Sequence, residues 1–226
     1  MLAAARAGRS VLLIAPTGGG KTLAGFLPAL TGLAAGERRG ALDTLYVSPL
    51  KALATDIARN LAAHVAELGL PVTIATRTGD TPENRRRRQR ETPPEILLTT
   101  PESLALMLAD PGAGQMFAGL RHVVVDEVHA LAGSKRGDQL ALGLARLRRL
   151  APGAVRIGLS ATVAHPGRIA AFVGAGEVIA VAETAPPALG LLLPAEEDGA
   201  VLPWAGRMGL AGAAAVLARI RAARLS

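Results

Sequence analysis

The fold is decided by residues 12–25, LLIAPTGGGKTLAG, in which an apolar run leads into three glycines, a lysine and a threonine. The part from Ala15 to Thr22 follows a strand pattern and opens a helical pattern, the context in which phosphate-binding loops occur. Glycines let backbone N–H groups turn toward a β-phosphate, and the helix start adds the positive end of its dipole. The segment predicts a nucleotide-binding loop made of Thr17, Gly18, Gly19, Gly20, Lys21 and Thr22.

Two residues of this loop have predicted chemical roles. Lys21 is expected to reach the β- and γ-phosphates of ATP, and the Thr22 hydroxyl is expected to bind Mg²⁺, which prefers oxygen ligands. The general GxxxxGK[ST] pattern is met except at its first glycine, which is Ala15 here. The alternative is a glycine turn that happens to contain a lysine, and the preceding strand together with the Lys-Thr pair argues against it.

A second acidic motif follows the apolar run of residues 123–125, in the sequence VVVDEVH. Asp126 is predicted to hold the Mg²⁺, directly or through water. Glu127 is predicted to position the attacking water and to help deprotonate it, as phosphoryl transfer requires. An Asp-Glu pair can also form a plain turn, and His129 alone would more often be structural. The phosphate-binding loop upstream favours the catalytic interpretation.

Short apolar runs alternate with amphipathic ones along the chain, which predicts an α/β fold with a mostly parallel sheet flanked by helices. Ligands of such sheets bind beyond the carboxyl ends of the strands, where the polar motifs stand. The predicted strands are 10–15, 44–48, 73–77, 96–99, 122–126, 156–160 and 178–181. The predicted helices are 1–6, 22–35, 52–68, 101–108, 137–150, 165–172 and 209–224.

The composition narrows the class of protein. Half of the 226 residues are hydrophobic and 2% are aromatic, so Ala, Leu, Val and Ile must form most of the core. The absence of cysteine excludes a disulfide framework and a thiolate metal site. No apolar run reaches the roughly 18 residues of a membrane span, and a soluble, cytoplasmic protein is expected. The net charge of +7 fits a nucleic-acid partner, although an Ala/Arg/Leu-rich composition makes many proteins basic.

Three motifs of the chain resemble the ATPase motifs of a known protein superfamily. APTGGGKT, DEVH and SAT (residues 160–162) match, in order, the ATPase motifs of superfamily 2 helicases, in which Ala commonly replaces the first glycine of the loop. The stretches YVSPLKALATDIARN, TRTGDTP, LLTTPESL and LAGSKRGDQL resemble the large helicase-related proteins, especially the bacterial ligase-associated DEXH-box branch. This resemblance covers nearly all of the chain. It implies a RecA-like P-loop NTPase domain with ATP and Mg²⁺ as cofactors.

The resemblance also assigns residues. It implies that Lys21, Asp126, Glu127 and His129 are catalytic, and that Ser160 and Thr162 couple the γ-phosphate to the nucleic-acid face through His129. Strand-end turns can hold phosphates through backbone N–H groups and hydroxyls without reading bases. The nucleic-acid-binding residues implied are Ser48, Pro49, Lys51, Thr78, Gly79, Asp80, Thr100, Pro101 and Glu102. Taken singly, Ser48 and Thr100 would be expected as ordinary helix caps before proline.

Two basic segments each allow two interpretations. The run Arg85–Arg90 could touch a phosphate backbone, or it could be the solvated face of a helix. Residues 135–138, KRGD, resemble the family's GSKRG segment and could contact nucleic acid or an interdomain partner.

The resemblance predicts a domain organisation. Residues 1–184 are expected to form a RecA-like domain 1 without the glutamine motif that normally precedes the loop. Residues 185–226 are expected to be the interdomain linker and the first helix of a second RecA-like domain, which would lie beyond Ser226. Such a second domain supplies an arginine finger. The chain alone is therefore expected to bind nucleotide weakly, to hydrolyse little ATP and not to unwind.

The expected parent protein is an ATP-dependent DNA helicase or translocase. By resemblance it moves 3′ to 5′ on single-stranded DNA, acts in DNA repair and has a DNA ligase and a nuclease as partners. One alternative is a non-catalytic nucleic-acid-binding module with a vestigial ATP site, and RNA is an alternative track. A small-molecule P-loop kinase is a third alternative, but no arginine-rich lid follows the loop.

Overall fold

The computed structural model describes residues 1–16, 18–36, 40–161, 163–181 and 213–222. Of the last range, side chains are described at 216–220. The chain divides into two units, Met1–Glu183 and Thr184–Ser226. The described residues of the second unit form a helix, α10 (Ala213–Ala222). None of the described helices is long and apolar enough to cross a membrane.

The first unit is built on a sheet of seven strands in which every pairing is parallel. The strands are β1 (Val11–Ile14), β2 (Thr44–Val47), β3 (Ile74–Arg77), β4 (Ile96–Thr99), β5 (His122–Val125), β6 (Val155–Ser160) and β7 (Glu177–Ala180). Their order across the sheet is β3-β4-β2-β5-β6-β1-β7. The predicted α/β fold with a parallel sheet is confirmed.

Helices connect the strands in βαβ fashion, because parallel neighbours need a crossover. The helices described in this unit are α1 (Leu2–Arg6), α2 (Lys21–Ala34), α3 (Lys51–Glu67), α4 (Glu83–Glu91), α5 (Pro101–Ala109), α6 (Ala113–Phe117), α7 (Val128–Leu131), α8 (Lys135–Leu150) and α9 (Pro166–Val173).

Of the three apolar clusters among the described residues, the two largest lie on opposite faces of the sheet, because successive side chains of a strand point to opposite faces. In β2, Leu45 and Val47 join a core with residues of α5, α6 and α8. Tyr46, between them, joins the other core with residues of α1, α2 and α3. The central strands are buried on both faces, as their continuous apolar sequences require in a parallel sheet.

The structure departs from the predicted elements in a few places. Strand β7 lies one residue earlier than expected, α4 was predicted only as one alternative for the arginine run, and α6 and α7 were not predicted. Helices α6 and α7 span five and four residues, too few to display a helical period. Thr100 is the N-cap of α5, as the capping alternative expected. Ser48 is not a cap, since α3 begins at Lys51 after the N-cap Leu50.

Candidate ATP and nucleic-acid site

The phosphate-binding loop follows β1, which is an interior strand of the sheet with β6 and β7 as its neighbours. Gly18 and Gly20 have φ angles of +83° and +70°, a left-handed conformation that glycine adopts without strain. Gly20 is also the N-cap of α2. The backbone thus turns sharply from strand to helix, and within this turn the N–H of Gly19 donates to the carbonyl of Pro16 at 3.1 Å.

Lys21 is folded against this loop. Its ammonium group donates hydrogen bonds to the carbonyl oxygens of Ala15 and Pro16, at 2.8 and 2.9 Å, and the residue is 8% exposed. The cation is therefore held within the turn by two backbone carbonyl oxygens of the loop. Thr22 follows it in the first turn of α2.

The acidic motif lies two strands away, at the end of β5. The amide of Asp126 extends the pairing of β5 with β2 by donating to the carbonyl of Val47 at 2.9 Å. Asp126 is 3% exposed, and its Oδ1 accepts the backbone N–H of Glu127 at 2.9 Å. Glu127 has a φ of +46°, and it is the non-glycine residue with positive φ in the described part of the chain. A left-handed non-glycine residue costs on the order of 1 kcal/mol or more, and such strain concentrates at functional sites.

The buried phenol of Tyr46 donates a short hydrogen bond to Oδ2 of Asp126. Burial, followed by the charge of Asp126 and that hydrogen bond, raises the pKa of Tyr46 far above its usual range, and the nearby Thr22 hydroxyl acts against the rise. The phenol therefore stays protonated and acts as a donor. Tyr46 was not among the residues singled out from the sequence, where a tyrosine inside TLYV is read as part of the core.

His129 connects the acidic motif to the end of β6. Its Nδ1 lies 3.3 Å from Oε2 of Glu127 and 3.3 Å from the Ser160 hydroxyl oxygen. The backbone N–H of Ala161 donates to the same nitrogen at 3.4 Å. The structure thus brings Glu127, His129 and Ser160 together, as the resemblance implied. Thr162 and Thr17, which were also predicted, lie outside the described residues.

The donor set fits Mg²⁺. Thr22 and Asp126 both offer oxygen atoms, both lie beside the Tyr46 phenol, and Mg²⁺ binds through a few such ligands together with nucleotide phosphates. The described residues contain no group of three or more His, Cys, Asp or Glu side chains that could hold a metal alone. Phosphate oxygens would have to complete the coordination.

The residues predicted to bind nucleic acid lie in the turns and helix starts that follow β2, β3 and β4, which are neighbours in the sheet. Because the strands are parallel, their carboxyl ends lie along the same side of the sheet. These segments therefore lie on the same side as the phosphate-binding loop and the acidic motif. The side chains of Ser48 and Thr100 are buried, and their hydroxyls accept backbone N–H groups of Leu50 and Ser103, both at 3.4 Å. Pro49, Thr78 and Pro101 are also buried, while the exposed members of the set are Lys51, Gly79, Asp80 and Glu102.

Ion pairs tie these turns to one another. The ammonium group of Lys51 binds both carboxylate oxygens of Asp80, at 2.9 and 3.1 Å. Arg136 binds Glu102 through Nε–Oε1 and Nη2–Oε2, at 2.5 and 3.2 Å, and its Nη2 donates to the carbonyl of Pro49 at 2.7 Å. The hydrogen bond from Arg136 lowers the pKa of the Glu102 carboxyl. The KRGD segment therefore supports two of the predicted nucleic-acid turns.

The arginine run forms α4, as the helical alternative expected. Arg86 donates to the carbonyls of Thr81 at 2.7 Å and Gly79 at 2.8 Å, so that it holds the turn after β3. Arg90 pairs with Glu83 at 2.9 Å. These members of the run contact protein groups.

The fold and the site together define a P-loop NTPase domain of the RecA-like kind. A family model described as DEAD/DEAH box helicase matches residues 1–168, and the chain belongs to that family. The chain is 52% identical over 178 residues to the Lhr helicase/probable uracil glycosylase of Mycolicibacterium smegmatis. It is 46% identical over 200 residues to the Lhr helicase/uracil glycosylase of Escherichia coli.

These matches cover 73% and 79% of this chain but 12% and 13% of the two relatives. Among solved structures, the Mycobacterium smegmatis helicase Lhr bound to ssDNA and AMP-PNP matches with a TM-score of 0.73 and 39% identity. That match covers 97% of this chain and 30% of the other. The chain thus spans a small part of each relative, and the similarity confirms the superfamily 2 helicase assignment.

Proposed function

We propose that this chain is the first ATP-binding domain of an ATP-dependent DNA helicase or translocase. The observation that supports it most is that the predicted nucleotide-binding and nucleic-acid-binding residues all follow the carboxyl ends of strands of one sheet. The ends of β1, β5 and β6 carry Lys21, Asp126 and Ser160, while the ends of β2, β3 and β4 carry the turns linked by Lys51 and Arg136. A motor needs a nucleotide site next to a surface that can hold a phosphate backbone.

In the proposed mechanism each residue has one task. Lys21 binds the β- and γ-phosphates, and Gly18, Gly19 and Gly20 present backbone N–H groups to them, with Thr17 completing the loop. Thr22 and Asp126 would hold Mg²⁺, which would supply charge neutralisation at the phosphates. Glu127 orients a water molecule for attack and accepts its proton. His129 and Ser160, with Thr162, relay occupancy of the site to the strand track.

The wider proposals rest on the resemblance and on the relatives. We propose that residues 1–184 form RecA-like domain 1, and that residues 185–226 lead into a second domain whose arginine completes the site. Movement 3′ to 5′ on single-stranded DNA, a role in DNA repair, a cytoplasmic location, and a ligase and nuclease as partners belong to this proposal. The solved Lhr structure contains ssDNA, which favours DNA over RNA as the track.

The test is nucleotide hydrolysis stimulated by a strand. Hydrolysis is measured for this chain and for a form extended through the next domain, each with single-stranded DNA or RNA of equal length, and each beside its Glu127→Gln variant. We expect hydrolysis by the extended form only, stronger stimulation by DNA, and its loss in Glu127→Gln. Equal strand binding by both forms without any hydrolysis would instead support a non-catalytic binding module.

A further inference from the structure

We propose that Tyr46 is a positioning residue for the Mg²⁺ site, acting through the carboxylate of Asp126. The proposal rests on the proposed function, since it concerns the same ATP site. Tyr46 does not touch nucleotide or metal in this scheme. Its hydroxyl holds the carboxylate that does.

The phenol is fixed in place before it meets Asp126. Tyr46 is fully buried, and its backbone lies in β2 between Leu98 of β4 and Val124 of β5. Its ring stacks on Phe26 with a centroid separation of 5.0 Å and an interplanar angle of 18°. A residue paired on both sides and stacked on a ring has little rotational freedom, so the position of its hydroxyl oxygen is set by packing and its O–H bond turns toward the acceptor.

The stacking partner belongs to the helix that follows the phosphate-binding loop. Phe26 lies in α2, which begins at Lys21 and Thr22, and Asp126 follows β5. Tyr46 therefore packs against the loop's helix through its ring and binds the acidic motif through its hydroxyl. One side chain fixes the two elements that carry the predicted metal ligands relative to each other.

The hydrogen bonds of Asp126 determine which of its lone pairs are available. A carboxylate has about four acceptor positions. One on Oδ2 is taken by the phenol, and one on Oδ1 is taken by the N–H of Glu127 at 2.9 Å. With one bond on each oxygen the carboxylate plane cannot rotate, and the remaining positions keep a constant direction for the metal or its water. Partners of this kind commonly change metal affinity about 10- to 100-fold when removed.

A purely structural role is the competing explanation. A buried tyrosine hydroxyl needs a partner, and Asp126 satisfies it. In that case Tyr46→Phe would lower stability but would leave the Mg²⁺ dependence of nucleotide binding unchanged. Metal dependence therefore separates the two roles, whereas loss of activity would not.

The experiment measures binding of a fluorescent ADP analogue while Mg²⁺ is titrated, and again in EDTA. Tyr46→Phe keeps the ring and its stacking and removes only the oxygen. We expect the half-saturating Mg²⁺ concentration to rise about 10-fold, with affinity in EDTA unchanged. Phe26→Leu, which weakens the stacking but keeps the hydroxyl, should raise it much less. An unchanged Mg²⁺ dependence in folded Tyr46→Phe would overturn the proposal while leaving the proposed function intact.

A second measurement does not depend on that variant folding. Tyr46 is the sole tyrosine of the chain, so biosynthetic 3-fluorotyrosine labels this site alone. We expect its ¹⁹F resonance to shift when Mg²⁺ is added to the ADP complex, and Asp126→Asn should abolish that shift. A resonance that ignores Mg²⁺ while nucleotide binding responds to it would overturn the role of Tyr46. A wild-type chain that binds nucleotide neither with nor without Mg²⁺ would overturn the proposed function as well.

Discussion

Arg136 and Glu102 form a two-pronged ion pair between the start of α8 and the start of α5, with Nε–Oε1 at 2.5 Å and Nη2–Oε2 at 3.2 Å. The same guanidinium also donates to the carbonyl of Pro49 at 2.7 Å, so it spans the turns after β2 and β4. Its exposed location limits the contribution to stability to about 1 kcal/mol. Its main effect should therefore be on the shape of the nucleic-acid face.

Replacing Arg136 by Met should weaken binding of single-stranded DNA several-fold, since both turns lose their common partner. Arg136→Lys should rescue little, because an ammonium group does not reproduce the planar fork of the guanidinium. Fluorescence anisotropy with a labelled oligonucleotide measures the affinity, and Arg149→Met, at the far end of α8, controls for lost charge. Glu102→Gln decides the mechanism. It should also weaken binding if Arg136 supports the turns, and tighter binding would mean that Arg136 contacts phosphate itself.

His129→Ala should uncouple strand binding from hydrolysis, given the proposed function. The imidazole joins Glu127 to Ser160, and its removal breaks this side-chain link between the acidic motif and the end of β6 without changing the phosphate-binding loop. We expect DNA-stimulated hydrolysis to fall at least 10-fold toward the unstimulated rate, with nucleotide affinity within twofold of wild type. Steady-state hydrolysis with and without DNA measures this in a form of the protein that hydrolyses ATP. The exposed His64→Ala serves as the control. A proportionate loss of both rates would contradict a coupling role.

The parts of the molecule that could be predicted are those whose residues lie close together in the sequence. The glycines and Lys21 lie within a few residues of one another, and Asp126 and Glu127 are adjacent. Each group follows an apolar run that predicts a strand, and this places the group at the carboxyl end of that strand. The strands themselves were found within a residue or so, because buried parallel strands are continuous apolar runs. Local chemistry and burial together were enough to define the fold and the candidate site.

The contacts between distant residues could not be predicted in the same way. Tyr46 and Asp126 are 80 residues apart, and Arg136 and Glu102 are 34 apart. A tyrosine in an apolar strand looks like any core residue, and an arginine in KRGD looks like any surface charge. Only the pairing of β2 with β5 and the packing of α5 on α8 bring these partners together. Tertiary structure decides which polar groups meet, and a single sequence does not contain that relation.

Arg77→Met should raise the free energy of unfolding, by about 1 to 3 kcal/mol. Arg77 is 7% exposed, and its Nη1 is buried without a hydrogen-bond partner among the described residues. Burial, followed by the charges of Arg90 and Arg86, lowers the pKa of its guanidinium, which shows that the charged form is disfavoured there. The charges of Asp110 and Glu83 act against this shift without reversing it. Met keeps the apolar stem and removes the buried charge and its unpaired donor. Urea unfolding followed by circular dichroism measures the change, and a decrease in stability would mean that the guanidinium has a stabilising partner such as ordered water.

Glu95 should make the stability of the first unit depend on pH. Its burial alone would raise the pKa, but hydrogen bonds from the Thr73 hydroxyl and from the N–H groups of Gly40 and Thr73 outweigh burial and lower the pKa of the carboxyl. A carboxyl whose pKa is lower in the folded state binds fewer protons there than in the unfolded chain. Its contribution is therefore fully present above the unfolded pKa, near 4.3, and is lost as the pH falls through the lower folded value.

The matched variant is Glu95→Gln, which cannot ionise and turns an NH₂ group toward donors. At pH 7 it should be less stable than the wild type by about 1 to 3 kcal/mol, and the difference should shrink steadily as the pH is lowered below the unfolded value. Urea unfolding at a series of pH values measures both proteins, with the exposed Glu67→Gln as the control whose difference from wild type stays near zero. A Glu95→Gln difference that is the same at neutral and acidic pH would mean that packing of the side chain, rather than its charge, stabilises the junction of β3, β4 and the chain entering β2.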